Sequence, residues 1–331
     1  MTDDKRVEIH NALYTALGPE IIKFIVDPDT VEVYINPDTL LWVNYLSRGR
    51  VCTEIAVDPK KTLLAIELIS GMNRKMVHTL NPHLAVEAVL KGIKCRLQIV
   101  LPPLVRQPSL MIRKHTIHIF TLDDYVSQGV ITPGERDYLI DMIKKRRNVL
   151  VAGSTGSGKT TFTNALLAAI SNIHPHHRIV ILEDTPELQC RSRDQWPMVT
   201  VEHDDPAKCV NTNKLLYISM RLSPTRIIVG EVRDGAALTL LKALNTGHPG
   251  GISTTHADSA LQALERLELL IQEDKPNGDF RQLIAKAIHV VIALAYVEDG
   301  KGGDIRKVNE MIEVQGWDRG QEQYIYKKVE V

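Results

Sequence analysis

The stretch VLVAGSTGSGKTTFTNALLAAI, Val149 to Ile170, constrains this chain more than any other. A short apolar, β-branched run meets a glycine-rich loop, and the loop runs into a lysine, two threonines and a helical segment. Gly153, Gly158, Lys159 and Thr160 satisfy the spacing GxxxxGK[ST], and the strand–loop–helix order is the context that gives this spacing meaning. The glycines let the backbone curl until its N–H groups face a phosphate chain. The helix N-terminus adds partial positive charge. Lys159 is expected to reach the β- and γ-phosphates, and the Thr160 hydroxyl to ligate Mg2+. Gly153, Ser154, Thr155, Gly156, Ser157, Gly158, Lys159, Thr160 and Thr161 are therefore the expected cradle for ATP.

What surrounds the loop fixes the fold class. After NVLVAG and its helix come RIVILED, a long irregular stretch, a helix through Leu215 and Met220, then RIIVGEV, GAALTLLKALN, GGISTTHA and ALQALERLELLI. Strands alternating with helices imply a mostly parallel sheet covered on both faces. IAKAIHVVIALAYV follows, and IRKVNEMIEV with QYIYKKVEV closes the chain as a hairpin around GWDRG.

The first half reads differently. Val7 to Leu17 is expected as a helix. TVEVYIN and LLWVNYL flank the turn NPDT as a hairpin. DPKKTLLAIELISGMNRKM places Leu64, Leu68, Met72 and Met76 at i+4 spacing, an amphipathic helix. LAVEAVL and IKCRLQIVL form a second hairpin around Lys91-Gly92, and PSLMIRKH is a further strand. A chain of 331 residues favours two domains: an α/β domain over 1–115, a linker over 116–134 and an α/β P-loop domain over 135–331. TLDDYVSQGVITPGERDYLIDMIKKRRN, with two short helices either side of a Pro-Gly turn, reads as the linker plus the entry to the second domain.

Two carboxylates are the expected catalytic partners of the loop. Glu183 ends an apolar strand in ILEDTPEL, where an α/β sheet presents its ligands. It can polarise a water or sit in the shell of the metal. Asp184 beside it is equally suited to capping. Glu231 follows RIIVG, where an aspartate would ordinarily stand, and can orient the attacking water or hold Mg2+ through water. The sequence does not rank Glu183 against Glu231 as general base. Thr254, Thr255 and His256 end a further strand, with His248 nearby, as a candidate sensor of the γ-phosphate.

Composition narrows the partners. Lys+Arg and Asp+Glu are both 40, so no bulk charge favours nucleic acid. Cys52, Cys95, Cys190 and Cys209 form no CxxC pair, which argues against a zinc or redox site and for reduced thiols in the cytoplasm. The N-terminal segment lacks an apolar signal core. AIHVVIALAYV is shorter than the about 20 residues a membrane span needs.

GSTGSGKTT, ILEDTPELQ, RLSPTRIIVGEVRDGAAL and GHPGGISTTHADSA occur in this order. The set resembles the secretion ATPase superfamily of type II and type IV secretion motors, and most nearly its conjugative-transfer (TrbB-like) branch. INPDTLLWV and GIKCRLQIVLPPLVRQPSLMIRKH resemble the same family's N-terminal domain. The resemblance implies a RecA-like P-loop ATPase domain, a smaller α/β N-terminal domain and a hexameric ring. It also implies ATP hydrolysis coupled to substrate transfer or pilus assembly, in a cytoplasmic protein held at the inner membrane by other components of the machine. It assigns Glu183 to the Asp box, Glu231 to an atypical Walker B element and His256 to the His box. Arg96 and Arg113 match arginines that reach the nucleotide from the N-terminal domain, and Arg221 and Arg233 flank the Walker B strand as the family's arginines do.

Thr225 stands where the family often has aspartate, which leaves the pairing of Arg226 open. The chain lacks the tetracysteine insertion of many type II assembly ATPases and the C-terminal motif of pilus-retraction motors, and both favour the type IV branch. The competing readings are a type II secretion or type IV pilus assembly ATPase, a DNA translocase or helicase, a nucleotide-dependent scaffold that barely hydrolyses, and, least supported, a small-molecule kinase. The absence of an aromatic-basic stripe argues against DNA.

Overall fold

Two-residue alternation decides the architecture of the first half of the chain. Strand Ile93–Val100 buries Cys95, Leu97 and Ile99 and turns Lys94, Arg96 and Gln98 outward, so only one face needs cover. That cover comes from helices α1 (Asp3–Val26) and α2 (Pro59–Met72), which pack on the sheet of β1 (Thr30–Ile35), β2 (Leu40–Tyr45), β3 (Gly49–Ala56), β4 (His83–Leu90), β5 (Ile93–Val100) and β6 (Ser109–Lys114). The strand order is β3-β2-β1-β6-β5-β4, with every neighbour antiparallel. The computed structural model describes residues 3–45, 48–73, 75–114, 119–203, 205–298 and 304–330. The chain divides into two compact units, Met1–Ile117 and His118–Val331.

The first unit corrects two expectations and adds a strand. Helix α1 outruns Val7–Leu17: it breaks at Gly18 (φ 79, ψ 162) and resumes at Pro19, which needs no N–H partner at the start of a new segment. In α2 the fully buried row is Ala65, Ile66 and Ile69; of the expected row, Leu68 and Met72 pack partly buried against the same core, and Leu64 and Met76 do not. Leu64 is 47% exposed, and Met76 lies beyond the helix at 74%. Both rows satisfy helical spacing, and only the tertiary partner chooses between them. Strand β3 is added at the sheet edge; its mostly exposed and intermediate positions give no clean alternation.

The second unit opens with α3 (Leu122–Ser127) and α4 (Pro133–Lys144). The Pro-Gly expected as a turn is the first turn of α4. Thr132 caps it in a reciprocal box with Glu135, and Pro133 sits where a missing N–H costs nothing. Leu122 and Tyr125 of α3 are buried in the core with Phe162, so this part of the expected linker packs within the second unit. Its start, 116–118, lies outside the described residues.

Then follow β7 (Val149–Gly153), α5 (Lys159–Ile173), β8 (Ile179–Glu183), β9 (Gln195–Val199), α6 (Thr212–Ser219), β10 (Arg226–Val229), α7 (Ala236–Asn245), β11 (Ile252–Thr255), α8 (Ala260–Asp274), α9 (Arg281–Ala287), β12 (Val290–Glu298), β13 (Asp304–Asp318) and β14 (Gln323–Lys328). They form one sheet in the order β14-β13-β12-β7-β11-β10-β8-β9. β12 through β9 run parallel, and β13 and β14 add antiparallel. β7, β8 and β10 are buried throughout, as strands covered on both faces must be. β9 falls inside the stretch expected to be irregular; it is an exposed edge strand. The closing hairpin forms as expected, with Trp317 still in β13 and the turn after Asp318.

Parallel strands deliver their carboxyl ends to one edge. β7 therefore brings the glycine loop, β8 brings Glu183, β10 brings Glu231 and β11 brings His256 to the same rim.

Candidate active site

The glycine loop is shaped by backbone conformation at two positions and by close contact at a third. Gly156 and Gly158 have φ of 82° and 95°, in the region glycine adopts without penalty. A Cβ on Gly153 would lie 2.6 Å from Leu294 O and nearer still to the Ser157 side chain. Ser157 Oγ is buried without a partner among the described residues, an orphan polar atom inside a loop built to take an oxygen-rich ligand. Lys159, 8% exposed, opens α5. Its Nζ donates to Gly153 O (2.8 Å) and Ser154 O (3.0 Å) and lies 3.3 Å from His256 Nδ1. Burial lowers the pKa of its ammonium, opposed by the charge of Glu231.

From Lys159 a chain of polar contacts runs along the rim. His256 Nε2 is 3.0 Å from Glu231 Oε1. Arg233 donates to Glu231 Oε2 at 2.6 Å and to Asp184 Oδ2 at 3.3 Å. Thr200 donates to Asp184 Oδ1 at 3.0 Å. Burial alone would raise the Glu231 pKa. The Arg233 hydrogen bond and the charges of Arg233, His256 and Lys159 outweigh it and hold the carboxyl below its usual range. The His256 pKa is lowered, first by burial and then by Lys159. Both shifts favour a neutral imidazole beside an ionised carboxylate at neutral pH.

Glu183 sits at the same rim with different partners. It is 7% exposed, and its Oε1 accepts from the backbone N–H groups of Glu187 and Leu188, both at 2.8 Å. Asn164 of α5 holds the same segment through Gln189 N (2.8 Å) and Glu187 O (3.3 Å). Gly230 leaves space for Glu183: a Cβ there would come 3.0 Å from Glu183 Cγ.

The structure separates other expected members. Thr254 donates to Gly230 O at 2.6 Å, and Thr255 Oγ1 is buried and unpartnered among the described residues. Of that trio only His256 joins the polar chain: the Thr254 hydroxyl is engaged by the Gly230 carbonyl, and Thr255 is buried within the sheet. His248 lies at the other end of β11, 3.1 Å from Pro224 O. Arg221 is exposed in the turn before β10, at the opposite strand end from Glu231. Arg226, 1% exposed, meets no carboxylate among the described residues: it donates to His177 Nδ1 (3.1 Å), Gly250 O (2.8 Å) and Ile143 O (2.8 Å). In the first unit Arg96 stands in register between Glu87 and Arg113, and Arg113 Nε is 3.8 Å from Glu32 Oε1.

Two residues beside the loop carry no sequence signal. Tyr296 of β12 donates its hydroxyl to Gly156 O at 2.8 Å, and Arg306 of β13 donates to that hydroxyl at 3.2 Å. Only the pairing of β12 with β7 brings them there. Among the described residues no group of three or more His, Cys, Asp or Glu is arranged to hold a metal.

Residues 73–314 match the family described as Type II/IV secretion system protein. A conjugal transfer protein TrbB of Rhizobium radiobacter is 38% identical over 305 residues, 92% of this chain and 90% of its own. A type IV secretion system protein VirB11 of Bartonella quintana is 28% identical, over 86% of this chain and 89% of its own. The X-ray structure of the Legionella pneumophila ATPase DotB shares the fold, with a TM-score of 0.62 at 17% identity over 87% of this chain and 77% of its own.

Proposed function

Because the chain belongs to the type II/IV secretion system protein family, we propose that it is the ATP-hydrolysing motor of a conjugative, type IV secretion machine. The observation that carries this reading is the polar chain Lys159–His256–Glu231–Arg233–Asp184, which links the ends of β7, β11, β10 and β8 around one phosphate cradle.

In this reading the loop N–H groups and Lys159 hold the β- and γ-phosphates. Mg2+ takes few protein ligands beside phosphate oxygens and waters; the Thr160 hydroxyl, with Glu231 through water, would hold it, and when bound it would supply charge neutralisation at the phosphates. Water attacks the γ-phosphorus, the bond to the bridging oxygen breaks, and ADP and phosphate leave. Glu231 is the residue best suited to orient that water and accept its proton. It is ionised and linked to Lys159 through one imidazole, whereas an oxygen of Glu183 is already engaged by two amides. Arg96 and Arg113 are proposed to contact the ATP phosphates, since a guanidinium bridges two phosphate oxygens and keeps its charge. Arg221, exposed and remote from this rim, is suited to a neighbouring copy in a six-membered ring.

No helix among the described residues is long and apolar enough to cross a membrane. We propose a cytoplasmic ring held at the inner membrane by other components of the machine. The test is hydrolysis by the full chain, paired with its mass in solution with and without Mg-ATP. Lys159→Ala should remove turnover while preserving the circular dichroism spectrum, and near-normal hydrolysis by that variant would overturn the reading.

A further inference from the structure

β12 lies beside β7 and outruns it: Leu294 pairs with Gly153, the last residue of β7. Two residues on, Tyr296 overhangs the glycine loop from the same strand, and Arg306 is its register partner on β13. The hydroxyl of Tyr296 donates to Gly156 O and accepts from Arg306 Nε, and the Arg306 guanidinium carbon is 5.7 Å from the Tyr296 ring centre. Arg306 also flanks the loop directly, 3.5 Å from where a Cβ on Gly158 would sit.

The contact falls on one peptide unit. In a trans peptide the C=O of Gly156 and the N–H of Ser157 point to opposite sides. The C=O is taken by Tyr296 on the outside of the bend, and the N–H donates inward to Ser154 O at 3.2 Å. Fixing the outer end sets the plane of the inner one. At Gly156, where glycine allows either sign of φ, no intrinsic preference does that job.

We propose that Tyr296 and Arg306 are positioning residues for the nucleotide, acting as a two-residue brace that fixes the plane of the Gly156–Ser157 peptide and with it the shape of the loop that would receive the phosphates. This rests on the reading of the loop as the ATP site. Neither residue needs to touch the phosphates. Arg306 acts through the tyrosine hydroxyl, which it polarises and orients toward the carbonyl, so the two side chains form one relay rather than two supports.

The test measures Mg-ADP and Mg-ATP affinity with fluorescent nucleotides, steady-state KM and kcat, and melting temperature without nucleotide. It uses the full chain carrying Tyr296→Phe, Arg306→Gln, Arg306→Lys and the Tyr296→Phe/Arg306→Gln pair. Loss of one net hydrogen bond should weaken nucleotide binding about three- to ten-fold in Tyr296→Phe, with KM rising more than kcat falls and the nucleotide-free melting temperature held. Arg306→Lys should recover part of what Arg306→Gln loses, and the pair should be no worse than Tyr296→Phe alone. Unchanged affinity in Tyr296→Phe, additive losses in the pair, or a melting temperature that falls in step with affinity would each overturn the brace. Wild-type protein that binds no Mg-nucleotide would instead remove the ATP reading beneath it.

Discussion

Lys159 Nζ lies 3.3 Å from His256 Nδ1, and the same imidazole reaches Glu231 Oε1 with Nε2 at 3.0 Å. Chemistry fixes the direction of both contacts. An ammonium has only donors, so Nδ1 accepts, and Nε2 carries the proton that it gives to the carboxylate. His256 thereby couples the lysine of the cradle to the carboxylate proposed to handle the water.

Protonating His256 places a second proton on Nδ1, facing the ammonium, and breaks that coupling. Burial and the Lys159 charge hold its pKa below the usual histidine value, against the pull of Glu231. Turnover should therefore not respond to the titration of His256 at neutral pH, and should fall on an acid limb below the usual histidine range. His256→Gln keeps a polar bridge but cannot titrate. It should lower the neutral rate and flatten the acid limb of the kcat profile; an unchanged limb would assign it to another group.

The two rim glutamates should fail in different ways. Glu231→Gln keeps the volume and removes the base, so it should bind Mg-ATP and slow a single turnover by about 100- to 10,000-fold. Glu183→Gln keeps an oxygen for the Glu187 and Leu188 amides. It should slow turnover far less, while Glu183→Ala, which orphans those N–H groups, should loosen the following segment and lower the melting temperature. Equal loss of single-turnover rate in both glutamine variants would return Glu183 to candidacy as base.

At the amino-terminal end of β10, opposite the rim, Arg226 gives its Nε hydrogen to His177 Nδ1. His177 is pushed down to about 4, by burial first and then by the charges of Arg226, His174 and Arg146. The unfolded chain takes up that proton near pH 6.5 and the folded protein only near 4. Stability from this group is therefore complete above about pH 6.5 and is lost as pH falls toward 4. His177→Gln should lower the melting temperature at pH 8 only modestly and reduce its slope between pH 6.5 and 4. The same slope in both proteins would place the acid sensitivity in His174 or His289, whose pKa values are also lowered.

How much of this was legible in the sequence follows from what each feature depends on. The loop, its lysine and the placing of Glu183, Glu231 and His256 at strand ends were readable, because each is set by residues within one strand–loop unit. The different engagement of the two glutamates was not, because Glu183 is held by amides that follow it in a segment of no regular structure. Tyr296 and Arg306 were invisible, because their role arises from β12 pairing with β7 across more than a hundred residues. In α2, Leu64 and Ala65 both fit helical spacing, and only packing within the unit decides that Ala65 is buried and Leu64 exposed.

Arg96 and Arg113 face each other across β5 and β6, with Glu87 beyond the first and Glu32 beyond the second. Like charges directly opposite on a sheet are destabilising, and the flanking acids offset that cost. Two explanations of the pair then predict different things. If the arginines exist to neutralise the acids, Arg113→Ala leaves the Glu32 carboxylate, 9% exposed and held by Asn44 at 3.0 Å, short of a cation. Stability falls in that case, and Glu32→Gln restores it. If they exist to contact the ATP phosphates, stability barely moves, because removing one arginine also removes the like-charge contact. A lost charge-assisted contact of about 1.5–3 kcal/mol then weakens ATP binding on the order of 10- to 100-fold, and ADP, with one phosphate fewer, loses less. The second outcome is the expected one for both Arg96→Ala and Arg113→Ala. The measurement is ATP and ADP affinity together with melting temperature, for each single variant and for the Glu32→Gln/Arg113→Ala pair. Rescue of nucleotide affinity by Glu32→Gln would make Arg113 a partner of Glu32 alone, and equal losses for ATP and ADP would remove both arginines from any step that distinguishes the two nucleotides.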